Sequence, residues 1–212
     1  MNVISLEKNN EIAALLEAVQ VLKQGGVVVV PTDTLYGLAA DARDASAVEK
    51  VFKIKGRHPG EAISVLVANA DMVDTVALAD ARVKSILAQT GAITAVLPSR
   101  GWMPLNLRGG GLTIGVRIPD HPFLPRLIKS FGGPITGTSA NASGRGGYTK
   151  IEDVLDDFSQ SLQQPDLVLD AGDIHDRGPS VVVDFIQNPP KVLRTGALTL
   201  DQLHALLDTG FA

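Results

Sequence analysis

The 212-residue chain is 45% hydrophobic and 20% charged, which is the composition of a folded protein with a sizeable apolar core. It contains no cysteine, and this excludes disulfide bonds, thiol catalysis and thiolate metal sites. Its net charge of −4 at pH 7 disfavours a protein that works by gripping nucleic acid, although a transient RNA contact through a local patch stays open.

The sequence predicts no targeting, membrane or metal-binding segment. Its start, MNVISLEKNN, lacks the basic and apolar regions of a signal peptide, and no apolar run approaches the roughly 18 residues of a membrane span. The four histidines show no metal-ligand spacing. We therefore expect a cytoplasmic protein without a membrane partner. Because no Pro/Gly-rich linker divides the chain, we expect one domain over residues 1–212.

In the first part of the chain, helix and strand patterns alternate irregularly. Apolar residues recur at helical spacing over residues 10–23, and Gly25-Gly26 ends this predicted helix. Residues 27–30 are consecutive valines, which suits a strand buried on both faces. Ser46 and Glu49 form a capping-box pattern, which predicts the start of a short helix that leads to a Lys-Gly-Arg segment.

The rest of the chain adds strands and short helices around an irregular segment at residues 99–111, which ends in three glycines. Apolar runs predict strands at residues 63–67, 93–97, 112–118, 167–169, 181–185 and 192–193. Helical spacing predicts helices at residues 79–89, 122–131, 151–158 and 200–207. This mixed order disfavours a plain Rossmann unit and favours an α/β fold, a twisted mixed sheet flanked by helices.

Two polar clusters follow predicted strands. PTDTLYGL occupies residues 31–38 after the valine strand, and TSANASG occupies residues 138–144 after the apolar Pro134-Ile135. Ligands of open α/β sheets bind at the carboxyl ends of strands, so both clusters are candidate walls of one site. The segment Lys55-Gly56-Arg57 adds a point charge and a planar fork that suit phosphate oxygens, which favours an anionic ligand.

Each of these features also has a plainer explanation. Lys55 and Arg57 are equally typical of solvated cations at a helix C-terminus, and residues 138–144 are typical of an ordinary turn. Alternation along residues 112–118 puts Arg117 on a strand face that is either solvated or lines a polar cleft. The sequence has neither a P-loop nor a G-x-G-x-x-G fingerprint, so a nucleotide would have to bind through a different set of residues.

Several segments connect these features in a fixed order: PTDTLYGL, KGR, TIGVRIPDHP, TSANASG, GPSVVVD and VLRTGA, spanning residues 31–196. Together they resemble the YrdC-type threonylcarbamoyl-adenylate synthase family in its single-domain form. The resemblance implies a YrdC-like mixed α/β fold with a deep, concave, positively lined cavity. It also implies a nucleotidyltransferase reaction, in which L-threonine, bicarbonate or CO₂, and ATP give threonylcarbamoyl-AMP and pyrophosphate.

The resemblance further implies roles for individual residues. Lys55 and Arg57 match the catalytic cations around the nucleotide phosphates, and Arg117 matches the residue that holds the threonine carboxylate. Other positions match contacts with the nucleotide: Thr113, Ser139, Asn141 and Arg194. A third set matches the lining of the threonine pocket: Thr32, Thr138 and Ser180. Mg²⁺ is expected with the triphosphate, ligated mostly by phosphate and water.

The implied partners are the small-molecule substrates and a separate transferase complex, which moves the threonylcarbamoyl group to adenosine 37 of tRNA. Two other functions stay open. One is an RNA-binding or ribosome-associated module without synthase activity, and the other is a relative that handles carbamoyl-adenylate. The chain departs from the family pattern at His58, Glu61 and residues 89–94, and Glu61 adds a negative charge beside the expected anion site.

Overall fold

A computed structural model describes residues 1–7, 9–58, 60–175 and 178–208. The strands in these residues are β1 (Asn2–Ser5), β2 (Val28–Val30), β3 (Gly37–Ala39), β4 (Ser64–Leu66), β5 (Ile93–Pro98), β6 (Thr113–Arg117), β7 (Ile135–Ser139), β8 (Leu167–Asp170), β9 (Val181–Asp184) and β10 (Lys191–Arg194). The helices are α1 (Glu11–Lys23), α2 (Ala45–Lys55), α3 (Ala70–Val76), α4 (Ala81–Gln89), α5 (Leu124–Phe131), α6 (Ile151–Ser159) and α7 (Leu200–Asp208). None of these helices has the length and apolarity needed to cross a bilayer.

The strands form one ten-stranded sheet in the order β1-β8-β2-β3-β7-β4-β6-β5-β9-β10. Strand β8 pairs in parallel with both β1 and β2, and parallel pairs also join β4 to β6 and β5 to β9. The remaining neighbours are antiparallel. The prediction of an α/β fold with a mixed sheet flanked by helices is therefore confirmed.

Strand β7 connects the two halves of the sheet and brings the two polar clusters together. Its last residues pair with β3, where Ser139 lies opposite Gly37. Its earlier residues pair with β4, where Gly137 lies opposite Ser64. The segments PTDTLYGL and TSANASG are distant in the sequence, but this register places them on adjacent strands.

The apolar core covers both faces of the sheet. In and beside β2, Val27 and Val29 belong to one buried cluster, whereas Val28 and Val30 belong to the other. Helices α2, α4 and α6 contribute to the first cluster, and α1 and α5 contribute to the second. A strand that is buried on both faces has no solvent-exposed face that needs polar residues, which explains the uninterrupted run of valines.

The structure corrects several local predictions. Helix α2 begins at Ala45, and the Oδ1 atom of its N-cap residue Asp44 accepts the backbone N–H of Ser46 at 2.8 Å. The capping-box prediction is therefore wrong, because the carboxylate two residues earlier takes the capping role from the Ser46 hydroxyl. The sequence pattern also does not predict β1, β3 and α3, which are only 4, 3 and 7 residues long.

Candidate active site

A cavity of about 880 Å³ lies against the central strands of the sheet. Ligand pockets typically measure roughly 300–1,000 Å³, so this cavity has room for a nucleotide-sized molecule. Every residue that the sequence assigns to the site lies on its wall: Thr32, Lys55, Arg57, Thr113, Arg117, Thr138, Ser139, Asn141, Ser180 and Arg194. The structure thus brings the predicted residues together, while their individual roles stay predictions.

Glycines on two central strands line the floor of the cavity, so no side chain fills the space above them. A Cβ atom on Gly115 of β6 would lie 2.6 Å from Oγ of Ser64, and one on Gly137 of β7 would lie 2.7 Å from Cδ2 of Leu66. Both distances are shorter than those that real Cβ atoms show, so a larger residue at either position would require the Ser64 or Leu66 side chain to move. Glycine at such positions lets a ligand approach the strand backbone closely.

Helix α2 delivers two cations to this cavity. The helix ends at Lys55, and Gly56 then adopts a left-handed φ of 59°, which stops the helix before Arg57. The Nζ atom of Lys55 donates hydrogen bonds to the carbonyl oxygens of Ser139 and Asn141, the latter at 2.9 Å. Burial and then the charge of Arg57 lower the pKa of Lys55 to about 8.

Arg57 faces the second polar cluster and carries an ion pair of its own. Its Nη1 atom lies 3.4 Å from the hydroxyl oxygen of Thr138, and its Nη2 atom donates to the carbonyl oxygen of Ala62 at 2.9 Å. Its Nε atom donates to Oε2 of Glu61 at 3.0 Å. Since the Glu61 side chain is 56% exposed, this carboxylate is a weak and displaceable partner.

The loop after β7 is tied to the end of α2. The backbone N–H of Ser143 donates to the carbonyl oxygen of Lys55 at 2.7 Å. The Nδ2 atom of Asn141 donates to the carbonyl oxygens of Ala142 at 2.7 Å and Arg145 at 2.8 Å. The buried Asn141 amide therefore shapes the loop from within, and its role in the site is at least partly structural.

Arg117 is held in place by two loops. Its Nε atom donates to the carbonyl oxygen of Gly91, and its Nη2 atom donates to Oδ1 of Asp33 at 2.7 Å and to the hydroxyl of Thr34 at 3.0 Å. Burial lowers the pKa of Arg117, and the charge of Asp33 acts in the opposite direction. Asp33 stands inside the PTDTLYGL motif, but the sequence does not single it out as the partner of Arg117.

The hydroxyl of Thr32 is committed to the turn that follows β2. Its Oγ1 atom accepts the backbone N–H groups of Thr34 at 3.0 Å and Leu35 at 3.1 Å, and it donates to the carbonyl oxygen of Leu35 at 2.7 Å. With these bonds made, Thr32 contributes to the cavity through its shape and through the turn that it stabilises.

A second residue missed by the sequence analysis, Thr94, lies on the opposite wall. Its Oγ1 atom is 2.8 Å from Oγ of Ser180, and both side chains are buried. Arg194 donates from Nη2 to the carbonyl oxygen of Ser180 at 2.8 Å. A hydroxyl inside the apolar run at residues 93–97 is the signal that could have identified Thr94.

The cations of the cavity affect one another. After burial, which is the main cause, the charge of Arg57 lowers the pKa of both Lys55 and Arg194, and the charge of Arg194 lowers that of Arg117. Cations that line one cavity repel one another, and a bound anion offsets this repulsion. Among the described lining residues the only carboxylate is that of Glu61. The arrangement is therefore suited to a polyanion.

A family model for Sua5, YciO and YrdC proteins, described as telomere recombination, matches residues 20–196. The chain belongs to the Sua5/YciO/YrdC family. This Sua5/YciO/YrdC chain is 31% identical over 189 residues to the threonylcarbamoyl-AMP synthase of Pyrococcus abyssi, covering 88% of this chain and 55% of the relative. It is 34% identical over 210 residues to the Homo sapiens threonylcarbamoyl-AMP synthase, covering 92% and 73%.

A solved structure of the same family supports the fold. The crystal structure of P. abyssi Sua5 complexed with L-threonine matches with a TM-score of 0.90 at 30% identity, and covers 97% of this chain and 61% of that one. The chain thus spans little more than half of the archaeal relative's length. The family predicted from the sequence motifs is confirmed.

Proposed function

We propose that this chain is a nucleotidyltransferase that makes threonylcarbamoyl-AMP and pyrophosphate from L-threonine, bicarbonate or CO₂, and ATP. The observation that carries the proposal is the convergence of Lys55, Arg57, Arg117 and Arg194 on one cavity of about 880 Å³. The names of the relatives and the L-threonine in P. abyssi Sua5 support the same substrates. None of these relatives is named as an RNA-binding module, so that alternative gains no support.

The triphosphate of ATP binds at the Lys55 end of the cavity. Lys55 and Arg57 supply the charges, and the loop that carries Ser139 and Asn141 supplies polar groups beside them. Thr113 and Arg194 complete the nucleotide contacts at the neighbouring wall. Mg²⁺ enters as part of the MgATP substrate, because phosphate and water oxygens are its usual ligands.

The amino acid binds at the Arg117 end. A guanidinium group pairs well with a carboxylate, and Arg117 is already oriented by its bonds to Asp33 and Gly91. Thr138 and Ser180 form the polar surroundings of the side chain of L-threonine, and Thr32 shapes this part of the pocket through the turn that it stabilises. The amine of the substrate then lies between its own carboxylate and the phosphates of ATP.

The reaction needs no nucleophilic side chain. The lone pair of the threonine amine attacks the carbon of CO₂, and loss of one amine proton to water leaves a carbamate. A carbamate oxygen then attacks the α-phosphorus of ATP, the bond to the bridging oxygen breaks, and pyrophosphate leaves with that electron pair. The protein contributes by placing the reactants together and by stabilising phosphate charge through Lys55 and Arg57.

The proposal places the enzyme in the cytoplasm as one catalytic domain over residues 1–212. Its product is an activated carbamoyl donor, and the consumer is a transferase complex that modifies adenosine 37 of tRNA. The acidic net charge of −4 gives this chain little general attraction for RNA. Handing over a small adenylate requires no tight RNA binding by the synthase.

Glu61→Gln is expected to lower the KM for ATP by about two- to fivefold, because exposed ion pairs contribute roughly 0.2–1 kcal/mol. Glu61 pairs with Arg57 in the free protein, and the triphosphate must displace it. Steady-state pyrophosphate release at varied ATP measures the change, with Glu152→Gln on α6 as an exposed control. A higher KM for ATP in the Glu61 variant would show that the carboxylate assists the substrate.

The proposed function is tested by pyrophosphate release with ATP and bicarbonate, measured with and without L-threonine. We expect release that depends on both bicarbonate and L-threonine, together with a nucleotide product of the mass of threonylcarbamoyl-AMP. L-Valine, which has the shape of threonine without its hydroxyl, is the matched control. Pyrophosphate release that does not depend on L-threonine, or no release at all, would refute the proposal.

A further inference from the structure

Helix α6 anchors the loop at residues 141–145 through a buried carboxylate. The side chain of Asp157 is 2% exposed, and its Oδ2 atom accepts the backbone N–H of Ala142 at 2.8 Å. Its Oδ1 atom pairs with Nη1 of Arg145, whose side chain is 62% exposed. Asp157 lies outside every motif of the sequence analysis and is not part of the cavity wall.

The same loop is held from the other side by Lys55. The carbonyl oxygen of Lys55 accepts the N–H of Ser143, and its ammonium donates to the carbonyl oxygens of Ser139 and Asn141. The loop therefore spans two helices, with a cation of α2 at one end and a carboxylate of α6 at the other. Neither anchor belongs to the loop itself.

Asp157 also contributes to the charge balance around Lys55. The charged groups that act on this ammonium are Arg57, which lowers its pKa, and Asp157 and Glu61, which raise it. Burial is the largest cause and lowers the pKa. The carboxylate of Asp157 thus favours the charged form of a lysine that burial pushes towards neutrality.

We propose that Asp157 is a positioning residue for the nucleotide, because it fixes the loop at residues 141–145 against Lys55 so that loop and ammonium meet the triphosphate as one surface. The inference rests on the proposed binding of ATP in this cavity. Asp157 acts through Ala142, Arg145 and Lys55, and touches no substrate atom. Loss of its charge releases the loop from α6. It also lowers the pKa of Lys55, so that the ammonium loses its proton at a lower pH.

The test is calorimetric titration with MgATP, without threonine, between about pH 6 and about pH 10. Asp157→Asn is expected to raise the dissociation constant by about three- to tenfold, which is the range that the net loss of one intramolecular hydrogen bond gives. Its ATP affinity should also decline at a lower pH than that of the wild type. Asp156→Asn, an exposed carboxylate on the same helix, should match the wild type.

Arg145→Ala removes one of the two contacts through which Asp157 holds the loop and keeps the bond to Ala142. Because the guanidinium group of Arg145 is largely exposed, this variant should raise the dissociation constant for MgATP by less than Asp157→Asn does, by about two- to fivefold. Arg145 is not among the described residues that line the cavity, so the variant tests the anchor even if Asp157→Asn does not fold. A merely structural role would lower the unfolding temperature and leave the ATP affinity of the folded protein unchanged.

Unchanged affinity and pH profile in Asp157→Asn, or unchanged affinity in Arg145→Ala, would overturn the inference. The proposed function is judged separately, by pyrophosphate release from the wild type. If the wild type binds ATP but releases no pyrophosphate, the proposed synthase activity is refuted. The ratios of the MgATP dissociation constants of variant and wild type still decide the role of Asp157.

Discussion

Replacement of Lys55 by alanine is expected to reduce ATP turnover roughly 100- to 1,000-fold, the usual cost of losing a preorganised group that stabilises developing charge. Lys55 brings a buried ammonium to the cavity wall and also holds the carbonyl groups of Ser139 and Asn141. The substitution removes both the charge and the anchor. Initial rates of pyrophosphate release at saturating threonine measure the effect.

The matched control is Lys53→Ala. Lys53 lies two residues earlier on α2 with an exposed side chain, so its loss should leave turnover and ATP affinity unchanged. Thermal unfolding of both variants separates loss of the site from loss of the fold. A Lys55→Ala enzyme that retains wild-type turnover would remove Lys55 from the catalytic machinery.

The lowered pKa of Lys55 makes activity and stability respond to pH in opposite ways. With a pKa of about 8, Lys55 loses its charge as the pH rises through 8, so kcat/KM for ATP should fall there. In the unfolded chain the pKa returns to 10.5, and between about pH 8 and 10.5 the unfolded chain binds the additional proton. Lys55 therefore contributes increasing stability across that window, so lost activity above pH 8 does not reflect unfolding through this group.

Arg117→Ala is expected to raise the KM for threonine by roughly 100-fold, in line with the 2–5 kcal/mol lost when one partner of a buried charge pair is truncated. The KM for ATP should change far less, because we propose that Arg117 binds the amino acid and not the nucleotide. The variant should also lose about 3–5 kcal/mol of stability, since Asp33 remains buried without its cation. Kinetics with each substrate varied, and urea unfolding, measure the two effects.

The double variant Arg117→Ala/Asp33→Ala separates these effects. Removal of Asp33 relieves the uncompensated charge, so stability should return in part, whereas the KM for threonine should stay high. Arg126→Ala is the control, because its pair with Glu11 is largely exposed and contributes roughly 1 kcal/mol or less. A larger effect of Arg117→Ala on ATP than on threonine would show that its role is assigned wrongly.

The sequence predicts those parts of the fold whose signals are local. The valines of β2 and the apolar spacing of α5 reflect burial directly. In α1 the spacing predicts the helix but not its buried face, because Ala14, Ala18 and Leu22 are buried whereas Ile12 and Leu16 are exposed. Strand β3 escapes prediction because its residues Gly37–Ala39 continue a polar motif and owe their conformation to pairing with β2 and β7. Pairing between distant segments leaves no periodic pattern in one sequence.

In the candidate site, too, local motifs could be identified from the sequence, whereas contacts between distant segments could not. The order of the motifs and their resemblance to a known family were sufficient to name residues that converge on the cavity, such as Lys55 and Arg117. The partners that orient these residues were not identified, because the pairing of Asp33 with Arg117 and of Asp157 with Arg145 depends on how β6 and α6 pack. Adjacent Asp156 and Asp157 look alike in the sequence, and only the fold shows that Asp157 is the buried one.

The most direct test of the account is a crystal structure of this chain with L-threonine and an ATP analogue that resists cleavage. We expect both ligands in the cavity of about 880 Å³, with phosphate oxygens within hydrogen-bonding distance of Lys55 and Arg57 and the threonine carboxylate on Arg117. Ligands bound at a different surface, or a threonine carboxylate that avoids Arg117, would contradict it.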